Sequence, residues 1–146
     1  MSQFTYGKPK TDVVVKAATL VQLSNRGRQP FATVWEELMP CLIRGNFSFQ
    51  FKHENEVGFI AWAKLSPVIS QLFVGRHRNL TPYEHNTGPL TFVLFCGNTV
   101  GDAAAHLENI AMQELTETER STMYIKSLQG VKQLTAPYVD IREHLV

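Results

Sequence analysis

The chain has 146 residues, the size of a single domain, and 44% of them are hydrophobic, which is sufficient for one core. Its net charge of +1 and the lack of basic residues interleaved with aromatic ones argue against a nucleic-acid-binding surface. No apolar run approaches the about 20 residues that cross a bilayer. Residues 1–10 are polar and lack a signal-peptide core, so we expect a cytoplasmic protein without a membrane span.

Helical spacing of apolar residues predicts two helices in the first third of the chain. The first follows the capping residues at 11–12 and ends near Asn25. A loop with two arginines separates it from the second, which begins after Pro30 and ends at Gly45. Pro40 lies inside the second helix and is expected to break or kink it, because proline lacks a backbone donor.

Two strand patterns follow. Residues 46–52 alternate strictly, with three phenylalanines on one side and Ser48, Gln50 and Lys52 on the other. Residues 58–65 are continuously apolar and end just before Pro67, which is typical of a strand buried on both faces at the centre of a sheet. The polar turn between them predicts an antiparallel pair.

The rest of the chain alternates between short elements and turns. The predicted elements are a short helix after Ser66 with Val68, Ile69, Leu72 and Phe73 inward, a long surface loop over 75–89, a strand over 90–96, a helix from Asp102 to about 115, a strand over 122–128 and a short return strand over 131–134. Helices and strands in this order favour a mixed sheet with helices on its faces, an α+β fold.

These elements predict one domain over residues 11–134, between an N-terminal arm (1–10) and a C-terminal tail (135–146). Cys41 and Cys96 lie in apolar runs and are interpreted as buried free thiols. The apolar runs predict a single core, formed by Phe47, Phe49, Phe51, Phe59, Ile60, Trp62, Phe92, Leu94 and Leu107.

Several short stretches point to a known family. They are Gly58-Phe59-Ile60-Ala61-Trp62-Ala63-Lys64-Leu65-Ser66, Leu38-Met39-Pro40, Gly45-Asn46-Phe47, Thr87-Gly88, Val100-Gly101-Asp102 and Gln129-Gly130-Val131-Lys132. Through them the chain resembles the toxin-activating lysine acyltransferases, from about Leu23 to Leu134. The resemblance implies a GNAT-like sheet and transfer of a fatty acyl group from acyl carrier protein to lysines of RTX protoxins. It also implies acyl carrier protein as the donor, with no bound cofactor.

The resemblance implies two catalytic residues, a histidine in the loop before the second helix and an aspartate on the strand before the glycine turn. Here those positions are occupied by Asn25 or Arg26 and by Leu94. Neither asparagine nor arginine accepts a proton near neutral pH, and leucine carries no charge. Both positions therefore depart from the family pattern.

Substitute residues are found in the long loop. His77 and His85, with Glu84 beside the latter, could form a base and its supporting carboxylate. The alternative is that all three are solvated loop residues. His106, near the edge of a helical apolar face, is interpreted as a structural histidine. No set of cysteines and histidines has the spacing of a zinc site, so no metal is expected.

Two further features concern binding. Gly97 and Gly101 open a helix, where backbone N–H groups could hold a phosphate or pantetheine, although most such glycines only form a turn. Five arginines could form a basic patch for the acidic carrier protein, or be ordinary solvated side chains. They are Arg26, Arg28, Arg44, Arg76 and Arg78.

Two functions remain open at this point. The chain could be an acyltransferase with a relocated base, acting with acyl carrier protein and a protein substrate. It could also be a non-catalytic binding or structural subunit of an assembly, such as a phage virion. For the second function we expect an oligomer or complex in which residues 1–10 and 135–146 contact neighbouring subunits more than their own domain, because they lack a periodic apolar face.

Overall fold

The computed structural model describes residues 11–22, 29–76, 80–99, 101–127 and 130–144. Within these ranges a five-stranded mixed sheet lies between helices that pack on both of its faces, which confirms the predicted α+β class. The sheet orders the strands as they occur in the chain. Neighbouring strands are antiparallel except the third and fourth, which are parallel and are joined by a crossover that contains two helices.

The elements match the predicted order closely. The strands are β1 (Phe47–Lys52), β2 (Asn55–Leu65), β3 (Leu90–Asn98), β4 (Met123–Ser127) and β5 (Gly130–Leu134). The helices are α1 (Thr11–Val21), α2 (Phe31–Arg44), α3 (Pro67–Arg76), α4 (Ala103–Glu114) and α5 (Glu117–Arg120), with short 3₁₀ helices at Pro82–Glu84 and Val139–His144. The predicted loop over 75–89 is therefore shorter than expected and contains a helical turn.

Local signals explain where the helices begin and end. The Asp102 carboxylate accepts hydrogen bonds from the N–H groups of Ala104 and Ala105, so it caps α4 as predicted. Helix α2 ends at Gly45, whose φ of 74° is the left-handed conformation that glycine adopts without strain. Pro40 does not end α2, which continues through it to Arg44.

Strand β2 is buried on both faces, as its apolar run predicts. Trp62 is only 3% exposed, which confirms the central position of this strand. Phe59 and Ala61 point to the face covered by α1, α2 and α3, whereas Ile60 and Trp62 point to the face covered by α4. We call these the α2 face and the α4 face of the sheet.

The single predicted core is wrong, because the sheet divides the buried residues into two layers. Phe47, Phe59, Phe92 and Leu94 lie on the α2 face, with Phe49 packed against them, whereas Ile60, Trp62 and Leu107 lie on the α4 face. Phe51 is 54% exposed, since it follows a register shift near the end of the edge strand β1. Val68, expected to point inward, is also exposed.

The C-terminal segment packs on its own domain, contrary to expectation. Tyr138 and Ile141 are both buried in the layer on the α4 face, and Val139–His144 contacts α4. The earlier expectation relied on the lack of a long periodic stretch, but two apolar residues three positions apart suffice to bury one side of a 3₁₀ helix. Residues 1–10 lie outside the described residues.

This packing gives a test of the C-terminal segment. Replacing Ile141 by Ala should lower the free energy of unfolding by about 2–5 kcal/mol, because the side chain is fully buried. Urea denaturation of the full chain measures the change. Val139→Ala is the matched control, since this neighbour is 53% exposed and should change stability by less than about 0.5 kcal/mol. Equal effects of the two variants would contradict the packing.

Candidate functional site

His85 is the candidate base that the structure describes, and it is not solvated. The residue is fully buried, and burial lowers the pKa of its imidazole to about 4, so the ring is neutral at pH 7. Its Nε2 atom has no hydrogen-bond partner among the described residues. The solvated-loop interpretation is therefore wrong for His85, whereas His77 lies outside the described residues.

The other ring nitrogen of His85 contacts a cysteine on α2. Cys41 Sγ lies 3.7 Å from His85 Nδ1, 3.4 Å from the Glu37 carbonyl oxygen and 3.5 Å from the Trp62 carbonyl oxygen. Carbonyl oxygens only accept, so the thiol proton is directed to them. All three contacts are satisfied when Nδ1–H donates to the sulfur, which leaves a lone pair on Nε2. In this tautomer Nε2 can accept a proton.

A buried ion pair lies on the same helix. The fully buried Glu37, one turn before Cys41, accepts hydrogen bonds from Lys126 Nζ at 3.1 and 3.4 Å. It also accepts one from the Leu80 N–H at 2.8 Å. The Lys126 ammonium group lies 4.6 Å from the centroid of the Phe73 ring. Glu37 therefore joins α2 to β4 and to the chain just before His85.

The segment carrying His85, residues 80–88, is fixed at both ends. Glu37 accepts from its first residue, and at the other end Thr87 N–H and Gly88 N–H donate to the Lys64 carbonyl oxygen of β2. Between them, the Lys64 N–H donates to the His85 carbonyl oxygen at 2.9 Å. Gly88 lies directly against the backbone of Ser66. These bonds determine where His85 is held against the sheet.

Glu84 is placed differently from the expected partner of a base. Its carboxylate accepts the Thr81 N–H at 2.9 Å and caps the 3₁₀ turn. His85 Nδ1 faces Cys41, and His85 Nε2 has no partner among the described residues, so Glu84 does not hydrogen-bond the imidazole. The carboxylate that ties this segment to another element is instead Glu37 of α2, which accepts the Leu80 N–H.

The positions implied by the family resemblance are only partly described. Leu94 is fully buried in the layer on the α2 face, as predicted, and supplies no charge there. Asn25 and Arg26 lie outside the described residues. Arg28 and Arg78 of the predicted basic patch also lie outside the described residues. For Arg76 only the backbone is described, and the exposed Arg44 donates to the Pro82 carbonyl oxygen at 3.2 Å.

A second buried histidine lies on the opposite face of the sheet. His106 Nε2 lies 3.0 Å from Ser48 Oγ, and burial lowers the pKa of its imidazole to about 4. Its Nδ1 atom is buried and lacks a hydrogen-bond partner among the described residues. The contact links α4 to the edge strand β1, which agrees with the structural interpretation of this histidine.

The N–H groups at the start of α4 already have hydrogen-bond acceptors. Gln50 Oε1 accepts hydrogen bonds from the Asp102 N–H at 3.0 Å and from Asn98 Nδ2 at 3.2 Å. The Asp102 carboxylate takes three further donors, the N–H groups of Ala104 and Ala105 and Arg142 Nη2 at 3.3 Å, and these hydrogen bonds lower its pKa. A phosphate bound beside Gly97 and Gly101 would have to compete with this carboxylate for the same N–H donors. The role of the two glycines in binding stays a prediction.

The described residues contain no group of histidine, cysteine or acidic side chains arranged to hold a metal ion. Among the helices described, none is both long enough and apolar enough to cross a membrane.

The fold and the site together define a class: an α+β domain with helices on both faces of a mixed sheet and a buried histidine in the connection leading into β3. The sequence profile of the RTX toxin acyltransferase family matches residues 9–136, which is most of the chain. The protein belongs to this family, and its sheet is the GNAT-like sheet that the resemblance implies. A comparison with curated proteins found no match.

Sequence reasoning did not single out Glu37 and Lys126, and it predicted for Cys41 only the buried free thiol that the structure has, not the contact with His85. One signal was available, because Glu37 lies three residues after Val34 and four before Cys41, on the buried side of α2. A carboxylate at such a position must find partners when it is buried. The identity of those partners depends on residues 43 and 89 positions away, which no local pattern reveals.

The two buried histidines predict acid sensitivity. Their folded pKa of about 4 lies below the ordinary value of about 6.5, so the unfolded chain binds more protons as the pH falls. The stability that the two neutral rings contribute is fully present above pH 6.5 and is lost as the pH falls toward 4. Between pH 7 and pH 5 the free energy of unfolding should fall by about 2 kcal/mol for each histidine.

Urea denaturation of His106→Gln at several pH values tests this. The variant should lose about half of the pH dependence that the two histidines give the wild type. His53→Gln is the control, because His53 is exposed in the turn between β1 and β2. A wild-type curve and a His106→Gln curve that stay parallel from pH 7 to pH 5 would be inconsistent with the buried neutral ring.

Proposed function

We propose that the protein transfers a fatty acyl group from acyl carrier protein to a lysine amine of another protein, with His85 as the general base. The observation that carries the proposal is a buried, neutral imidazole whose Nε2 lone pair has no partner among the described residues. Membership of the RTX toxin acyltransferase family supports the reaction class. The donor, the acceptor and the role of His85 belong to the proposal.

In this reaction the lysine enters as a free amine and attacks the carbonyl carbon of the carrier thioester. The new C–N bond forms as the attacking nitrogen gives one proton to His85 Nε2. Collapse of the tetrahedral intermediate breaks the C–S bond, and the proton passes from the imidazolium to the departing sulfur. The products are an amide on the acceptor and the free thiol of the carrier, and His85 returns to its neutral form.

The electrostatic surroundings of His85 act in two directions. Burial disfavours the imidazolium, whereas the negative charge of Glu37 favours it. In the tautomer with the proton on Nδ1, the Cys41 sulfur accepts Nδ1–H and the lone pair lies on Nε2. Since the ring is closed to solvent in the free protein, binding of substrate has to uncover Nε2, as closure and opening of loops does in many enzymes.

A second candidate function is binding without chemistry. The observation that favours it is Leu94, a fully buried apolar residue at the position where the resemblance implies an aspartate. In this case the protein would hold a partner but leave its thioester intact. The C-terminal tail does not support an assembly role, because its Tyr138 and Ile141 are buried on the protein's own α4 face and Val139–His144 contacts α4.

The decisive experiment compares two histidine variants. His85→Ala should lower kcat for transfer from fatty-acyl carrier protein to a lysine-bearing RTX protoxin by about 10²–10⁴-fold, the usual contribution of a general base. His106→Ala is the matched control, because it removes a histidine that is equally buried but lies on the other face. It should lower stability and leave kcat within a few-fold of wild type. Mass spectrometry of the acceptor measures transfer.

The outcomes separate the two candidate functions. Loss of activity confined to His85→Ala, with partial rescue by added imidazole, supports the relocated base. Equal activity of the two variants would show that another residue removes the proton. Absence of transfer by the wild type, with retained binding of the carrier, would favour the non-catalytic role.

The contact between Cys41 and His85 gives a second test. Cys41→Ala removes the acceptor for Nδ1–H, so the ring loses its fixed tautomer and kcat should fall by about 10-fold or more. Cys41→Ser retains an acceptor atom and should restore most of the activity. Cys96→Ala is the control, because that thiol is buried on the α4 face, away from His85, with its pKa raised to about 12 by burial.

The measurement is kcat against pH, together with the melting temperature of each variant. If Cys41→Ala lowers the melting temperature only as much as Cys96→Ala does and leaves kcat unchanged, Cys41 has no positioning role. A serine variant as inactive as the alanine variant would also contradict that role, because a hydroxyl can accept the same hydrogen bond.

A further inference from the structure

Tyr83 is the most exposed large hydrophobic side chain among the described residues. It is 88% exposed, whereas the next most exposed of this kind, Val68, is 67% exposed. Exposed tyrosines on fixed backbone are favoured at protein interfaces, since the ring supplies contact area and a hydroxyl at low entropic cost. Position 83 is also two residues from His85, on the outer side of the same segment.

The turn that carries Tyr83 is held in place by several bonds. Thr81 and Glu84 cap it reciprocally, and Arg44 Nη2 donates to the Pro82 carbonyl oxygen. On the inner side, the backbone of His85 bonds to Lys64 of β2. A partner that binds Tyr83 would therefore not have to order a mobile loop, and this lowers the entropic cost of association.

A positive charge accompanies the exposed ring. The Arg44 side chain is exposed, and among the described residues it has no carboxylate partner, only the bond to Pro82. Ile43 beside it is 41% exposed. Together Ile43, Arg44, Pro82 and Tyr83 form what we call the Tyr83 surface, which combines apolar area with an exposed guanidinium group. The Glu84 carboxylate of the same turn is engaged by the Thr81 N–H. Such a surface suits an acidic protein that presents an apolar residue beside its carboxylates.

We propose that the Tyr83 surface binds the acyl carrier protein that donates the acyl group, an inference that rests on the proposed function. The carrier is acidic, which matches Arg44, and the surface lies on the outer side of the segment that holds His85. Docking there would bring the thioester to the segment that carries the base.

Direct binding tests this without any need for turnover. Tyr83→Ala should raise the Kd for fatty-acyl carrier protein by about 30-fold, as for a residue at the centre of an interface. Isothermal titration with the full chain measures it. Arg44→Gln should raise the Kd by about 5-fold and flatten its dependence on NaCl, because it removes the charge that attracts the acidic partner. Val68→Ala is the control, an exposed apolar residue on α3.

Each outcome bears on the inference. Weaker carrier binding by Tyr83→Ala and Arg44→Gln, with Val68→Ala like wild type, supports it, even if no transfer is ever observed and the proposed chemistry fails. Unchanged carrier binding by Tyr83→Ala overturns it, even if the protein is an active transferase. It is also overturned if Tyr83→Ala raises only the KM for the acceptor protein, or if the wild type does not bind the carrier.

Discussion

The burial of the Glu37 carboxylate is the constraint on which the site depends. A carboxylate without water is strongly destabilising unless it is paired, and Glu37 finds its partners in Lys126 of β4 and the Leu80 N–H. The pair therefore joins a helix, a strand and a connection that are far apart in the chain. Because the same connection carries His85, the requirement to pair one charge also determines where the imidazole lies.

Local sequence signals were sufficient for most of the fold. Strict alternation identified β1, a continuous apolar run identified β2, and Asp102 identified the start of α4. These features act over a few residues, so the printed sequence contains all the information they require. The family resemblance then indicated the sheet type, which the strand order and the match over residues 9–136 confirm.

The predictions that failed concern features that depend on long-range packing. Phe51 continues the alternation of β1, but its exposure depends on whether any helix reaches the end of an edge strand. Ile141 lies in a polar segment, and only the position of α4 gives it a surface on which to pack. The site also depends on contacts between residues that are far apart in the sequence. His85 could be named as a candidate, but its burial and its contact with Cys41 join residues 44 positions apart.

The close approach of Gly88 to β2 has a consequence for variation of this chain. A Cβ atom at position 88 would lie 2.5 Å from Ser66 Cα and 2.9 Å from the Leu65 carbonyl oxygen, distances at which the backbone has to move. Any side chain there would push the segment away from the sheet and carry His85 with it. Position 88 would thus act as a remote determinant of the site. A substitution there would displace the imidazole without contacting it. A library of variants selected for folding alone would not reveal the cause of the lost activity.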